Sequence, residues 1–194
     1  MTPGTLAAAL ATAAVLALHG APTLANPASA PPAPVAAAIA GPRLAGEGPL
    51  RWFGLRVYQA RLWVGTDGLD PGRLQRTPFA LDLQYARAIG GAAIAEASHR
   101  EIARLGYGTE PQRQRWLDAM RRMFPDVGEG DRLTGVHHPG AGASFFKNDR
   151  RIGGIDDPEF AAAFFSIWLD ARTVAPELRS ALLARAEPQP GGAR

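Results

Sequence analysis

The apolar positions of the chain follow a strand spacing first, then a helix spacing, and then a strand spacing again. Apolar and aromatic side chains alternate imperfectly over residues 50–64, which predicts a first strand with a bulge or turn near Gly54. Residues 79–86 alternate cleanly, with apolar residues such as Leu81 on one side and Asp82 on the other. Such alternation is typical of a half-buried antiparallel strand.

Helical spacing begins after this second strand. Apolar residues recur every three or four positions over residues 92–105 and again over residues 111–124, which predicts two amphipathic helices. Gly106 is a typical residue to end the first of them. A further helix is predicted to start near Pro176.

The centre of the chain combines two strands with its most apolar helix. Residues 132–138 form one predicted strand, and a second extended run resumes after a Pro/Gly-rich break and ends at Gly153. The helix over residues 158–169 is apolar nearly all round, so we expect it to be buried. Asp157 is a suitable N-cap for it. Strands, helices, a hairpin and more helices in this order indicate an α+β domain.

The first forty residues differ from the rest in composition. Residues 6–18 form an apolar run of signal-peptide length, and a small-residue cleavage site lies after Ala25. We therefore expect a signal peptide at 1–25 and a periplasmic or secreted protein. Residues 26–43 are rich in Pro and Ala, which predicts a linker. Residues 44–186 are the predicted folded domain, and residues 187–194 are a predicted disordered tail.

Composition excludes several classes of function. The 194-residue chain has a net charge of +3, and its arginines are dispersed, so no basic stripe for nucleic acid is present. The absence of cysteine excludes thiol nucleophiles, thiolate metal sites and disulfides. His137 and His138 are adjacent in a strand and point to opposite faces, so no metal site is predicted, and no nucleotide-binding or serine-nucleophile motif occurs. No cofactor and no catalytic residue are assigned.

Several separated blocks, in the right order, resemble the bacterial chalcone isomerase-like family. They are LRWFGLRVYQARLWV, PFALDLQYARAI, FPDVGEGDRLTG, the FFKN strand and DPEFAAAFFSIWLDARTVAPELRSALL. The resemblance covers residues 44–184. It implies the chalcone isomerase-like fold, an antiparallel β-sheet packed on one face by a layer of α-helices, with a ligand cleft between the two layers.

The resemblance also implies where a ligand would bind. In the fatty-acid-binding branch an Arg at the start of the first strand and a Tyr further along hold a carboxylate, and these positions correspond to Arg51 and Tyr58 here. Seven residues apart, the two would lie on opposite faces of a regular strand, and a bulge at Gly54 would bring them to one face. The other interpretation is a surface arginine and a core phenol.

A second candidate pair is Tyr85 and Arg87. Two residues apart on a strand, they would share a face without any bulge. The alternative for Arg87 is a structural ion pair with Glu96 or Glu101.

These observations predict an exported, non-catalytic and monomeric protein that binds a small apolar carboxylate such as a fatty acid, with no membrane span in the mature chain. One alternative is an isomerase of the chalcone isomerase type, although Tyr58 stands where the ring-closing enzymes are expected to carry Thr. The other is a structural or partner-binding role, including haem binding, for which His99, His137 and His138 are the available ligands.

Overall fold

A single antiparallel sheet is the frame of the molecule. The computed structural model describes residues 30–188. Each of six strands pairs with the next along the chain, in the order β1-β2-β3-β4-β5-β6. The strands are β1 Arg43–Trp52, β2 Leu55–Val64, β3 Phe79–Tyr85, β4 Arg132–His138, β5 Gly142–Lys147 and β6 Arg150–Ile155.

Five α-helices accompany the sheet. They are α1 Ala33–Ala38, α2 Gly91–Leu105, α3 Glu110–Met123, α4 Pro158–Leu169 and α5 Pro176–Leu182, and a 3₁₀ segment spans Pro71–Arg76. The predicted caps are present, since the Asp157 carboxylate accepts hydrogen bonds from the first turn of α4 and α2 ends at Gly106 with a φ of 82°. Within residues 30–188, no helix is both long enough and apolar enough to cross a bilayer.

Helix α4 supplies the centre of the core. Eight of its twelve residues are buried, and its aromatic rings pack against one another and against the sheet. Phe165 contacts Phe79 of β3 edge to face at 4.8 Å between centroids, and Phe164 contacts Phe145 of β5 at 5.1 Å. The predicted α+β architecture is confirmed.

The predicted linker is wrong for residues 31–42. Helix α1 lies within this stretch, and its Val35 and the following Ile39 are fully buried. They belong to a second apolar cluster with Trp63, Ala80 and Val136, on the sheet face opposite the main core. The Pro/Ala-rich composition predicts a flexible segment because it carries no amphipathic period, yet Pro32 and Pro34 are buried together with Val35 and Ile39.

This second layer changes the environment of β3. The strand was expected to be half-buried, but six of its seven residues are buried. Asp82 is only 1% exposed; it accepts a 2.7 Å hydrogen bond from the Thr134 hydroxyl and lies 3.8 Å from the Arg61 guanidinium. Burial raises the pKa of the Asp82 carboxyl, against the hydrogen bond and the arginines that lower it.

Two further boundaries differ from prediction. The single strand expected over residues 50–64 is a hairpin, because Phe53 and Gly54 form a two-residue turn between β1 and β2. The predicted second run of the central hairpin is two strands, β5 and β6. Strand β6 continues past Gly154 to Ile155, since the glycines take part in pairing with β5. The predicted signal peptide and most of the predicted tail lie outside the described residues.

Candidate ligand-binding site

A cavity of about 370 Å³ lies between the sheet and the helices, where the cleft was expected. The sheet contributes side chains from β1 to β5, and α2, α4 and the loop after α4 close the other side. The lining is almost entirely apolar. The sheet side includes Leu50, Trp52, Val57, Tyr58, Leu81, Leu83, Tyr85, Leu133, Gly135 and Phe145. The volume falls within the range of small-molecule sites.

The strand register shows which lining residues lie near the mouth of the cavity and which lie at its deep end. Leu50, Tyr58 and Tyr85 are cross-strand neighbours near the β1–β2 turn. Four residues further into the sheet from Tyr85, Leu81 pairs with Gly135, about 13 Å away at the rise of a strand. The four exposed lining residues, Trp52, Ala93, Ala97 and Val174, define the mouth of the cavity. The two tyrosines therefore lie near the mouth, and the deep end is apolar.

Gly135 contributes to the space at the deep end. A Cβ at this position would lie 3.3 Å from Cε1 of Phe145 and 3.3 Å from Cε1 of Phe165. Both rings would have to move, and the deep end of the cavity would become smaller. Glycine at this point of β4 keeps the apolar end open.

Tyr58 and Tyr85 are the main polar feature of the cavity. They are direct cross-strand partners, and their rings meet edge to face with centroids 5.7 Å apart. The Tyr58 hydroxyl accepts a 2.9 Å hydrogen bond from Nε1 of Trp168 on α4. This contact fixes the ring of Tyr58 and leaves its own hydroxyl hydrogen with no acceptor among residues 30–188.

The Tyr85 hydroxyl has no hydrogen-bond partner in the described part of the chain, although the residue is only 4% exposed. Burial raises the pKa of both phenols well above the ordinary value, with the neighbouring Tyr58 adding to the shift at Tyr85. Both groups are thus neutral O–H donors. Two donors without acceptors, side by side in an apolar cavity, are suited to bind an oxygen of a ligand.

Charged groups are scarce around this cavity. In the described part of the chain, the only ionisable lining residue besides the two tyrosines is Glu101 of α2. Its carboxylate pairs with Arg104 at 2.8 Å. Among residues 30–188, no arginine, lysine or histidine lines the cavity. A ligand oxygen would consequently meet phenol donors and not a cation.

The structure does not bring Arg51 to Tyr58. Arg51 lies on β1 and Tyr58 on β2, so the assumption of one shared strand is wrong. Leu50 and Trp52, on either side of Arg51, line the cavity, and strand alternation directs Arg51 to the other face. Its guanidinium is exposed and donates to the Gly54 carbonyl at 3.1 Å.

Arg87 also lies outside the cavity. Strand β3 ends at Tyr85, and the chain bends before Arg87, which is exposed. The expected common strand face with Tyr85 is therefore absent. The alternative ion pairs are wrong as well, because Glu96 pairs with Arg121 and Glu101 with Arg104.

The histidines lie away from the cavity too. Burial lowers the pKa of His137, whose Nδ1 is 3.1 Å from the Thr77 carbonyl, and its ring stacks on Phe79. His138 bonds to the Ser144 hydroxyl at 2.8 Å, and His99 lies on α2. Over residues 30–188, His, Asp and Glu form no cluster suited to a metal ion.

The sequence alone gives no sign that Trp168 takes part in the site. Among residues 30–188, its indole is the one side chain that bonds Tyr58, from 110 residues away. No local pattern indicates that contact, because it depends on how α4 crosses the sheet. The small residues of α2 could have been noticed, since Ala93 and Ala97 lie four apart on the face that borders the cavity.

Comparison with known proteins bears on the fold of the chain. A sequence model of a family described as chalcone isomerase-like matches residues 40–184. Among solved structures, a fatty-acid binding protein from Arabidopsis thaliana superposes with a TM-score of 0.55 at 14% identity, over 75% of this chain and 88% of that one. At this identity the likeness concerns the fold. No curated protein matches the sequence.

Proposed function

Because the chain belongs to the chalcone isomerase-like family, we propose that it is a binding protein for one small apolar molecule that carries a carboxyl or carbonyl oxygen, such as a fatty acid. The observation that carries the proposal is the pair of neutral phenol donors, without acceptors, in an otherwise apolar cavity. The fatty-acid binding protein of the same fold supports this choice of ligand class.

The orientation of the ligand follows from the two ends of the cavity. The oxygen accepts hydrogen bonds from Tyr58 and Tyr85 near the mouth, and the apolar tail extends toward Leu81, Gly135 and Phe145. Each methylene that leaves water contributes about 0.8 kcal/mol. The two hydrogen bonds add about 0.5–1.5 kcal/mol each, so the tail supplies most of the affinity and the tyrosines select the orientation.

Binding is favoured over catalysis by the electrostatics of the lining. Ring closure of the chalcone isomerase type develops negative charge on a substrate oxygen, which a cation beside the hydrogen-bond donors would stabilise. Within the described chain, the two candidate ligand-binding arginines, Arg51 and Arg87, do not line the cavity. The phenols, with their raised pKa, are suited to hold an oxygen in a stable complex.

Calorimetric titration of the full chain with dodecanoate tests the proposal. The wild type is expected to bind one dodecanoate per chain. Ala97→Trp places a large ring at the mouth and is expected to weaken binding at least tenfold, whereas Ala92→Trp, an exposed position on α2 outside the lining, leaves it unchanged. Absence of binding to the wild type, or equal binding by all three proteins, would refute the proposal.

We also propose that the protein is exported, with cleavage after Ala25. The support is the apolar run at residues 6–18 and the small-residue site that follows it. Mass determination of the N-terminus from the periplasmic fraction of a bacterial host tests this point. A mature chain beginning at Asn26 is expected, and an uncleaved chain confined to the cytoplasm would contradict it.

A further inference from the structure

The turn between β1 and β2 exposes large apolar side chains beside the cavity mouth. Phe53 is 91% exposed, Trp52 68% and Leu55 61%, and the Trp52 and Phe53 rings stand 5.5 Å apart. Val174, in the loop after α4, is 64% exposed. These four residues, here called the apolar tip, are the exposed large hydrophobic residues of the described chain. A patch of this kind on a small domain marks an interaction site.

The backbone of the turn holds Phe53 outward at a conformational cost. Phe53 has a φ of 48° and Gly54 a φ of 79°, the signs required by a type I′ hairpin turn. Glycine takes this conformation freely, but a bulky residue with positive φ is an outlier. Asn, which tolerates the conformation, is the residue favoured at the position of Phe53. An aromatic ring in water on an unfavourable backbone contributes nothing evident to the fold, which points to a contact outside it.

Positive charge surrounds the apolar tip. Arg51 and Arg56 are opposite one another on the hairpin, and both are exposed. Arg87 follows Ala86, whose N–H donates to the Val57 carbonyl, so it lies next to the same hairpin. None of the three forms an ion pair with any of residues 30–188, although seven other arginines do. The stretch from residue 48 to residue 66 contains no acidic residue.

The apolar tip is also continuous with the cavity. Trp52 and Val174 line its mouth and are exposed on their outer sides. A molecule that leaves the cavity through this mouth passes between apolar side chains and not directly into water. Whatever covers the tip is therefore in contact with the cavity entrance.

We propose that the apolar tip docks on the surface of an anionic lipid bilayer, with Trp52, Phe53 and Leu55 in the interfacial region and Arg51, Arg56 and Arg87 against the lipid phosphates. Aromatic side chains prefer the membrane interface, and arginines outside an ion pair are attracted to anionic lipid. The lipid bilayer is favoured over a protein partner because the surface combines an apolar centre with an unneutralised cationic margin, at the entrance of an apolar cavity. The docking does not depend on which molecule the cavity binds.

Trp52 provides the readout, because the other three tryptophans, Trp63, Trp116 and Trp168, are at most 7% exposed. Vesicles of phosphatidylcholine and of an equimolar mixture with phosphatidylglycerol are titrated into the full chain. Docking predicts a blue shift of the Trp52 emission and its quenching by lipids brominated in the upper acyl chain. Both effects should be stronger with phosphatidylglycerol and should weaken with salt.

Two sets of variants test separately the aromatic ring of the apolar tip and the arginines beside it. Phe53→Asn removes the ring and suits the turn, so the protein should fold at least as well while vesicle affinity falls roughly tenfold. Arg51→Ser with Arg56→Ser should lower affinity for phosphatidylglycerol vesicles roughly 25-fold, at about fivefold for each arginine. Arg115→Ser with Arg122→Ser makes the same charge change at exposed positions of α3 and should have little effect.

Three outcomes would overturn the proposal. One is a Trp52 emission that vesicles of either composition leave unchanged, even if the chain co-sediments with them through its N-terminal apolar run. Another is an equal loss of affinity for phosphatidylglycerol vesicles in the two double arginine variants, which would indicate a response to net charge alone. The last is a dimer that forms without lipid and is lost in Phe53→Asn, which would assign the apolar tip to a second copy of this chain.

Discussion

The two cavity tyrosines differ in their hydrogen bonds, so replacing each by Phe should change the stability of the protein by different amounts. Tyr58 accepts a hydrogen bond from the Trp168 indole, whereas the Tyr85 hydroxyl has no partner among residues 30–188. Replacement by Phe removes one oxygen atom in each case and keeps the ring. The pair is matched in burial, at 8% and 4% exposure, and in strand position, since the residues are direct partners.

The expected change in the free energy of unfolding depends on whether the substitution leaves a hydrogen-bonding group without a partner. Tyr58→Phe leaves the buried Trp168 N–H without an acceptor, which costs about 1–3 kcal/mol in the free energy of unfolding. For a domain of this size that corresponds to a fall in melting temperature of about 2–4 °C for each kcal/mol. Tyr85→Phe strands no partner, because the Tyr85 hydroxyl has none among residues 30–188. The ligand-free protein should therefore keep its stability.

Ligand binding gives the second half of the test. Both variants should bind dodecanoate more weakly by about 0.5–1.5 kcal/mol, or roughly 2- to 12-fold in Kd, because each loses one donor to the ligand oxygen. Urea denaturation with and without dodecanoate, together with calorimetric titration, measures both quantities. A Tyr85→Phe protein that is less stable by more than about 1 kcal/mol, or that binds dodecanoate as well as the wild type, would refute the reasoning.

Three further predictions concern groups outside the cavity. Val35→Ala should lower the free energy of unfolding by about 2 kcal/mol in urea denaturation, because α1 is part of the core, and an unchanged value would restore the linker interpretation. Burial holds the pKa of His137 below its unfolded value of 6.5, so the wild type should lose stability as the pH drops below 6.5. In melting scans, His137→Asn should lose less stability over the same pH range. Hydrogen bonds from Arg172 lower the pKa of Asp170, so Asp170→Asn should reduce the free energy of unfolding by about 1.5 kcal/mol at pH 7. The difference between variant and wild type should shrink as the pH falls below the unfolded pKa of 3.8. An equal difference at pH 7 and below pH 3.8 would contradict this.

Most secondary structure could be predicted because each element carries a local signal. The clearest case is α4, where an Asp-Pro start precedes a run of apolar residues, and the cap and the buried helix both occur as expected. The sequence predicts a bulge or turn near Gly54 but not the β1–β2 hairpin, because the turn begins with Phe53 and not with the Asn or Asp that usually marks a two-residue hairpin. One strand is therefore predicted where two exist.

The candidate site could be predicted only in part. Tyr58 and Tyr85 do line the cavity, but the arginines expected beside them do not. Their positions follow from the hairpin, which reverses the chain between Arg51 and Tyr58, and from the bend after β3 at Arg87. The role of Trp168 depends on a contact across the fold and on no spacing along the chain.

The burial of Asp82 was likewise invisible in the alternation of β3. A polar residue every second position normally marks a solvated face, yet Asp82 is buried and Ala80, two residues before it, belongs to the second apolar cluster. The carboxylate is accommodated by the Thr134 hydroxyl and the nearby Arg61 guanidinium.

The most direct test of the account is native mass spectrometry of the protein purified from its own cells, followed by extraction and identification of any bound molecule. The account predicts one apolar molecule with a carboxyl or carbonyl oxygen per chain, retained by Ala92→Trp and lost from Ala97→Trp. A wild-type protein that carries no such molecule and takes up no dodecanoate would contradict it, as would equal retention by the two tryptophan variants.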